Sequence, residues 1–242
     1  MIDVGVNEAG AQYVVEANLK DRDSISFVKI TQTTNVYQTG GIPQVSGANV
    51  LVTDNMGGSY SFLESTTEAG LYKNYDFNVL PNREYYLSVS VGESVITASA
   101  TSRTQPSIDS VGYDFFEFGG QEVNLVKYHS VDKLGEQNHY RLIYWENGEI
   151  EETYYLGDDE FIEGQYYNAQ FFGTSPDLGD SVFIEILEMD EAMYDYYQGL
   201  ADEMDNSMFS AAPSNPPTNL QGGGALGYFG VFMTDTASLI LQ

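Results

Sequence analysis

Cysteine does not occur in the 242 residues, which removes disulfide scaffolds, thiolate metal centres, iron-sulfur clusters and cysteine nucleophiles together. Basic side chains are almost as scarce. Nine Lys and Arg stand against 36 Asp and Glu, a formal net charge of −27. Nucleic-acid affinity comes mainly from Lys and Arg neutralising phosphates, so this chain repels a polyanion. Docking on anionic lipid through a basic face is excluded on the same ground. No apolar run approaches the ~18 residues of a membrane-crossing helix; the longest, near Gly224 to Met233, is short and interrupted by glycine. Met1-Ile2-Asp3-Val4 does not begin the basic-then-apolar leader of a signal peptide. Taken literally, the chain is soluble.

What is abundant is apolar and aromatic. At 42% hydrophobic and 14% aromatic residues, the composition lies far from that of disordered chains, which cannot bury enough surface to offset their conformational entropy. Period-two alternation dominates. Tyr85, Leu87, Val89 and Val91 share one face of a strand while Tyr86, Ser88 and Ser90 take the other, the mark of a half-buried strand. Ala48, Val50 and Val52 repeat it, as do Val182, Ile184 and Ile186. Turn clusters separate these runs: Asp54-Asn55-Met56-Gly57-Gly58, Glu68-Ala69-Gly70, and Asn147-Gly148. The last joins Tyr140–Trp145 to Ile150–Leu156 as a tight hairpin. Short strands at this spacing predict a mainly β protein of sandwich or barrel type.

One segment departs from the alternation. Met193, Tyr197, Leu200 and Met204 fall at i, i+4, i+7 and i+11, which predicts an amphipathic helix over 190–205 with Asp190 as its cap and Glu191 at its positive end. Ala211-Ala212-Pro213-Ser214-Asn215-Pro216-Pro217 then reads as an extended connector. A boundary is expected at Thr104-Gln105-Pro106-Ser107, where one β region ends and an aromatic-rich one begins. The chain thus divides into a sandwich-like domain of residues 1–104 and a second β domain, 105–242, carrying the helix and a glycine-rich end.

Most constellations that carry chemistry elsewhere fail here. Gly222, Gly224 and Gly227 have the G-x-G-x-x-G spacing. A proline-rich loop precedes them instead of a strand, no helix follows, and the chain ends before an acidic ribose partner, so a structural glycine turn is expected. Asp21-Arg22-Asp23 begins like a calcium loop but carries Ser26 where glycine is needed and Gln32 where a bidentate glutamate is needed. Asp158-Asp159-Glu160 is a better oxygen cluster, though 36 carboxylates make such runs common, and a solvated turn is the expectation. His129 and His139 fall in strands joined by a turn at Asp132 to Gly135 that would bring them together as a minimal metal or acid-base pair. No third ligand has a characteristic spacing and no G-x-S-x-G elbow is present, so both read as ordinary polar β positions. Neither catalytic residues, metal ligands nor a cofactor site are assigned. Carboxylate pairs for glycan hydrolysis are masked by the abundance of acids.

The aromatic doublets are more unusual: Tyr85-Tyr86, Tyr154-Tyr155, Tyr166-Tyr167 and Tyr196-Tyr197, with one tryptophan, Trp145. Within a strand each doublet points one ring to each face, so one member tends toward solvent or an interface. Trp145, Tyr154, Tyr155, Tyr166 and Tyr167 are therefore the candidate binding residues, since tyrosine and tryptophan suit protein interfaces and sugar stacking. The plainer reading is of amphipathic rings at sandwich edges with wet hydroxyls.

Several stretches resemble a known family. Ile2-Asp3-Val4 through Tyr13-Val14-Val15-Glu16-Ala17, Pro43-Gln44-Val45-Ser46-Gly47-Ala48-Asn49-Val50 and Gly70-Leu71-Tyr72 are similar to the N-terminal part of the Bacteroidota lipoprotein family called domain of unknown function 4249. Further on, Gly157-Asp158-Asp159 to Gly164, Leu178-Gly179-Asp180-Ser181-Val182, Tyr194-Asp195-Tyr196-Tyr197 and Asn215-Pro216-Pro217-Thr218-Asn219-Leu220 leading to Gly223-Gly224-Ala225-Leu226-Gly227-Tyr228-Phe229-Gly230 resemble its closing signature. The span Val45–Val91 is also similar to transthyretin-like or carboxypeptidase-regulatory sandwiches.

The resemblance implies an outer-membrane location, with a leader and a lipidated cysteine ahead of the segment matching Ile2-Asp3-Val4, and so a lipid anchor on the cell surface or periplasmic face; a start at an added Met1 fits that expectation. The family carries no established catalytic residues, so the resemblance transfers none. Family genes accompany TonB-dependent transporters, which implies a barrel partner, with a glycan or peptide as the alternative ligand. A non-catalytic accessory or binding lipoprotein is the expectation; a carboxylate-based glycan hydrolase and an adhesive β module are its alternatives.

The charge itself gives a test. Like charges repel in the compact state, and mobile ions screen them over ~8–10 Å at physiological strength. Moderate sodium chloride is expected to raise the melting temperature; an unchanged value would mean that the acids are compensated internally.

Overall fold

The computed structural model describes residues 10–21, 25–34, 40–135, 137–160, 164–206 and 215–242. It is mainly β, as the alternation predicts, with fifteen strands and one helix. The first half contributes β1 (Tyr13–Lys20), β2 (Ser26–Gln32), β3 (Asn49–Asp54), β4 (Ser59–Glu64), β5 (Leu71–Asn74), β6 (Glu84–Val91) and β7 (Ser94–Thr101). The second contributes β8 (Ser110–Phe118), β9 (Gln121–Val131), β10 (His139–Glu146), β11 (Glu149–Ile150), β12 (Tyr155–Asp158), β13 (Tyr166–Gln170), β14 (Ser181–Met189), α1 (Glu191–Asn206) and β15 (Leu226–Ile240).

Twelve strands form one sheet in the order β11-β10-β14-β15-β1-β2-β5-β4-β3-β6-β7, with β12 also on β10; β13-β9-β8 form a second, small sheet. The large sheet folds over on itself, so that Val15, Ala17 and Leu19 of β1 share a core with Val50 and Val52 of β3 and with Leu87 and Val89 of β6. Its other end is covered by the small sheet. There Leu142 and Tyr144 of β10 and Ile184 and Ile186 of β14 pack against Val126, Tyr128 and Phe171. Both are sandwich cores, and they lie on the same face of the large sheet.

One strand belongs to both. The first half of β15, Leu226 to Phe232, pairs in parallel with Val14–Lys20 of β1. Its second half, Met233 to Ile240, pairs antiparallel with β14. Phe229, Val231 and Met233 enter the first core, and Leu239 packs on the second. Polar bonds mark the handover. The Asp21 carboxylate, 3% exposed, accepts Thr234 N–H at 2.8 Å and the Thr234 hydroxyl at 2.7 Å. Lys20 meets Glu185 at 2.8 Å, joining β1 to β14 across the end of the pairing.

The boundary expected at Thr104–Ser107 falls between β7 and β8 and is half-buried. The segment is tied to the same handover: Gln105 donates to Thr234 O at 2.8 Å, and Ile108 N–H donates to Asp235 at 2.8 Å. The glycine turn ahead of β15 is structural, as expected. Gly222 has φ +91 and Gly227 φ +100, and a Cβ on either would collide with a carbonyl, Val95 O for the first and Val15 O for the second. Only glycine lets the returning chain lie this close to β7 and β1.

The helix is one residue displaced from the expected 190–205. Asp190 caps it, accepting Met193 N–H at 3.1 Å through one carboxylate oxygen and Thr101 N–H at 2.9 Å through the other. Met193 and Tyr197 are buried against Leu187, Met189 and Phe232, on the sheet face opposite the two sandwich cores. Met204, expected on the same stripe, is half-exposed. The first part of the expected extended connector, Ala211–Ser214, lies outside the described residues, as do Arg22, Asp23 and the Ile2-Asp3-Val4 segment.

The Asn147-Gly148 hairpin is present, with both residues at positive φ. Its return strand is broken in two where a continuous run was expected. Trp145 pairs with Ile150, while Leu142, three residues back along β10, pairs with Tyr155, five residues on, so two extra residues bulge out between β11 and β12.

Candidate functional site

The broken return strand builds an aromatic cleft. Strand β12 forms an edge of the large sheet beside β10, and β13 forms an edge of the small sheet, so a slot opens between them where the second sandwich is not closed. This cleft, ≈ 240 Å³, is lined by Tyr128, Tyr140, Tyr155, Tyr167, Phe171 and Gln170 among others. Its rings stand as walls. Tyr128 and Tyr167 lie 6.0 Å apart at 86°, and Tyr155 and Phe171 lie 5.1 Å apart at 82°. The hydroxyls are engaged by the protein: Tyr140 donates to Asp132 at 3.1 Å and Tyr155 to Phe172 O at 3.1 Å. Burial foremost pushes the Tyr128, Tyr140 and Tyr167 hydroxyls above their ordinary pKa, and the Asp132 charge acts in the same direction on Tyr140 and Tyr167. They stay neutral phenols over the physiological range.

The five aromatic residues singled out from sequence are distributed over four places. Tyr155 and Tyr167 enter the cleft. Tyr154 turns to the opposite face and, with Tyr197, sandwiches the Arg141 guanidinium, at 4.7 and 4.4 Å from the two ring centroids. Helix α1 covers that face of the sheet, so the Tyr154 ring is held against the protein while Tyr155 is turned to the cleft. The Tyr166-Tyr167 doublet behaves as expected, since Tyr166 lies on the outside of the small sheet, stacked on His129 at 5.6 Å.

Trp145 is on an uncovered strip. It pairs with Ile150 on one side and Phe183 on the other, its ring 5.1 Å from Phe183. Ile240 is diagonal to Phe183. Ile150, Phe183 and Ile240 are 53%, 40% and 61% exposed. Helix α1 covers the same sheet face farther along, over Ile143 and Leu187, and leaves this end bare. A polar groove of ≈ 490 Å³ containing Glu146, Glu149 and Glu151 adjoins it. Burial first, then the charges of Asp180, Asp177 and Glu151, push the Glu146 carboxyl up.

The remaining candidates are structural. His129 and His139 belong to different sheets, and His139 packs on Tyr194 at 4.8 Å. Among the described residues no three His, Asp or Glu side chains converge as a metal-holding group. Asp21, the possible start of a calcium loop, is spent on Thr234. In the acidic trio Asp159 is buried, not solvated, and accepts Asn138 N–H at 2.9 Å, while Asp158 accepts Glu160 N–H at 3.1 Å.

These features define a two-core β-sandwich protein with an aromatic cleft and a bare aromatic strip. A family model described as domain of unknown function, DUF4249, matches residues 1–238, and the chain belongs to that family. No curated protein matches it. Among solved structures it is similar to the chicken interferon gamma receptor alpha chain, at 9% identity over 73% of this chain and 88% of that chain, with a TM-score of 0.20, a likeness too slight to carry an argument.

Asp159 offers a pH test of the structural reading. Burial raises its pKa most, Asp132 adds to this, and the Asn138 N–H opposes it. The folded protein therefore takes up this proton at a higher pH than the unfolded chain does, so the charged carboxylate costs stability at neutral pH. That cost fades as the pH falls through the folded-state value toward the ordinary ~3.9. Asp159→Asn keeps an acceptor for Asn138 and is expected to raise the melting temperature at pH 7, with the gain vanishing near pH 4. If the trio held calcium, the variant would instead melt lower and lose a calcium-dependent rise.

Proposed function

We propose that the protein is a binding protein of the cell envelope, docking onto a partner protein through the strip of Ile150, Trp145, Phe183 and Ile240. The observation that supports this is the end of a sheet face left bare while α1 covers the rest of it. Contiguous exposed aromatic and aliphatic residues mark interaction sites, and docking energy concentrates in a few such anchors. Charge narrows the partner. Glu146, Glu149 and Glu151 crowd one end of the strip, and the Glu146 carboxyl is pushed up by burial first and then by the charges of Asp180, Asp177 and Glu151. A partner with an apolar ridge and a basic rim relieves that repulsion.

The finer reading follows the family resemblance: a Bacteroidota outer-membrane lipoprotein, lipid-anchored, serving as an accessory to a TonB-dependent barrel. A second reading, carboxylate-based glycan hydrolysis, is favoured by the polar groove, where Glu146 is biased toward holding a proton as a general acid does.

The test is affinity capture from detergent-solubilised envelope of the native organism, comparing the lipidated protein with Trp145→Ala/Phe183→Ala. The expected result is recovery of a TonB-dependent barrel by the wild type and its loss, at least about thirtyfold, by a variant whose melting temperature is unchanged. Equal recovery by the variant overturns the strip as the docking surface, and the lack of any barrel overturns the transporter reading.

A further inference from the structure

We infer that the cleft between β12 and β13 is a binding site for a small organic cation of the quaternary-ammonium type, held by the ring faces of Tyr128, Tyr140, Tyr155, Tyr167 and Phe171. This site is separate from the docking strip and does not depend on it. Three observations converge.

The first is geometry. Two ring pairs stand nearly perpendicular, at 86° and 82°, around a space of ≈ 240 Å³. In each pair the edge of one ring meets the face of the other, so the walls carry aromatic rings in crossed orientations around one small space, where a cation would lie within ~6 Å of several rings. A packed core would fill this volume with side chains.

The second is what the lining offers. Tyr140 and Tyr155 spend their hydroxyl protons on Asp132 and on Phe172 O. The Tyr167 hydroxyl lies against the Ser130 and Tyr128 hydroxyls. The Asp158 carboxylate is directed away, to Glu160 N–H and the Tyr194 hydroxyl. A sugar needs several free donors and acceptors around its ring, and Gln170 is the one amide side chain in the lining. Ring faces remain, and they favour positive charge.

The third is the field. Among the described residues no Lys or Arg lines the cleft. Asp132, 3% exposed, lies behind Tyr140 and accepts Gly164 N–H at 2.9 Å as well as the Tyr140 hydroxyl, and the whole chain carries −27. Negative potential inside low-dielectric walls concentrates cations and excludes carboxylates and phosphates. A cation without N–H groups leaves no donor unpaired against these engaged hydroxyls, whereas a primary ammonium would.

The probes are choline and its neutral isostere 3,3-dimethyl-1-butanol, which replaces N⁺ by carbon at the same shape. Binding to the full chain is followed by NMR shift changes and calorimetry in ~0.15 M salt, which screens attraction to the acidic surface at large. Choline is expected to bind at least about tenfold more tightly than the isostere. Tyr155→Leu is expected to abolish binding and Tyr155→Phe, which keeps the ring and loses only the hydroxyl, to retain it. Equal affinity for both probes would make the cleft a merely apolar slot. Choline binding that survives Tyr155→Leu, or absence of binding to the wild type, would also overturn the assignment. Unchanged melting of the leucine variant separates loss of a ring face from loss of the fold.

Discussion

The structure depends on the handover at Phe232 and Met233, where strand β15 leaves its parallel pairing with β1 and takes up antiparallel pairing with β14. A strand that changes partners midway leaves backbone groups unpaired unless something replaces the ladder bonds. Here Asp21 supplies the replacement, accepting both Thr234 donors, while its own N–H donates to Phe232 O at 3.2 Å. Removing one member of a buried set like this leaves a desolvated partner and costs about 1–3 kcal/mol. Lys20–Glu185, Gln105 and Ile108 gather around the same point. The last third of the chain thereby completes the core that the first third begins.

Both proposed sites follow from the same continuous sheet. Because β10, β14 and β15 extend beyond the reach of one sixteen-residue helix, one end of the helix-bearing face stays bare, and Trp145 and Phe183 occupy it. Because the small sheet has three strands, it covers the other face incompletely, and the rings at the uncovered edge enclose the cleft. Closing either opening would need more chain, not different residues.

The β class, the alternating strands, the hairpin at Asn147-Gly148 and the helix with its Asp190 cap were legible because each is encoded within about fifteen residues. Tyr85, Leu87, Val89 and Val91 are buried while Tyr86 is exposed, as period two requires. What was not legible is long-range. No local pattern tells that Leu226–Phe232 lies beside Val14–Lys20, nor that α1 covers the face on which Tyr154 lies, so that Tyr154 packs on Arg141. The cleft was half legible: Tyr155 and Tyr167 stood out as doublets, while Tyr128, Tyr140 and Phe171 look like ordinary strand residues until two sheet edges bring them together. The glycine spacing at Gly222 to Gly227 did carry a signal, since a positive-φ glycine run before an apolar strand marks a close backbone approach.

The central claim is that sharing β15 makes the two sandwich cores one cooperative unit. Differential scanning calorimetry tests it most directly, because a two-state unit has equal calorimetric and van't Hoff enthalpies. The account predicts a single transition with a ratio near one. Two resolved transitions, or a ratio near two, would show that the cores melt independently and that β15 is a tether between them.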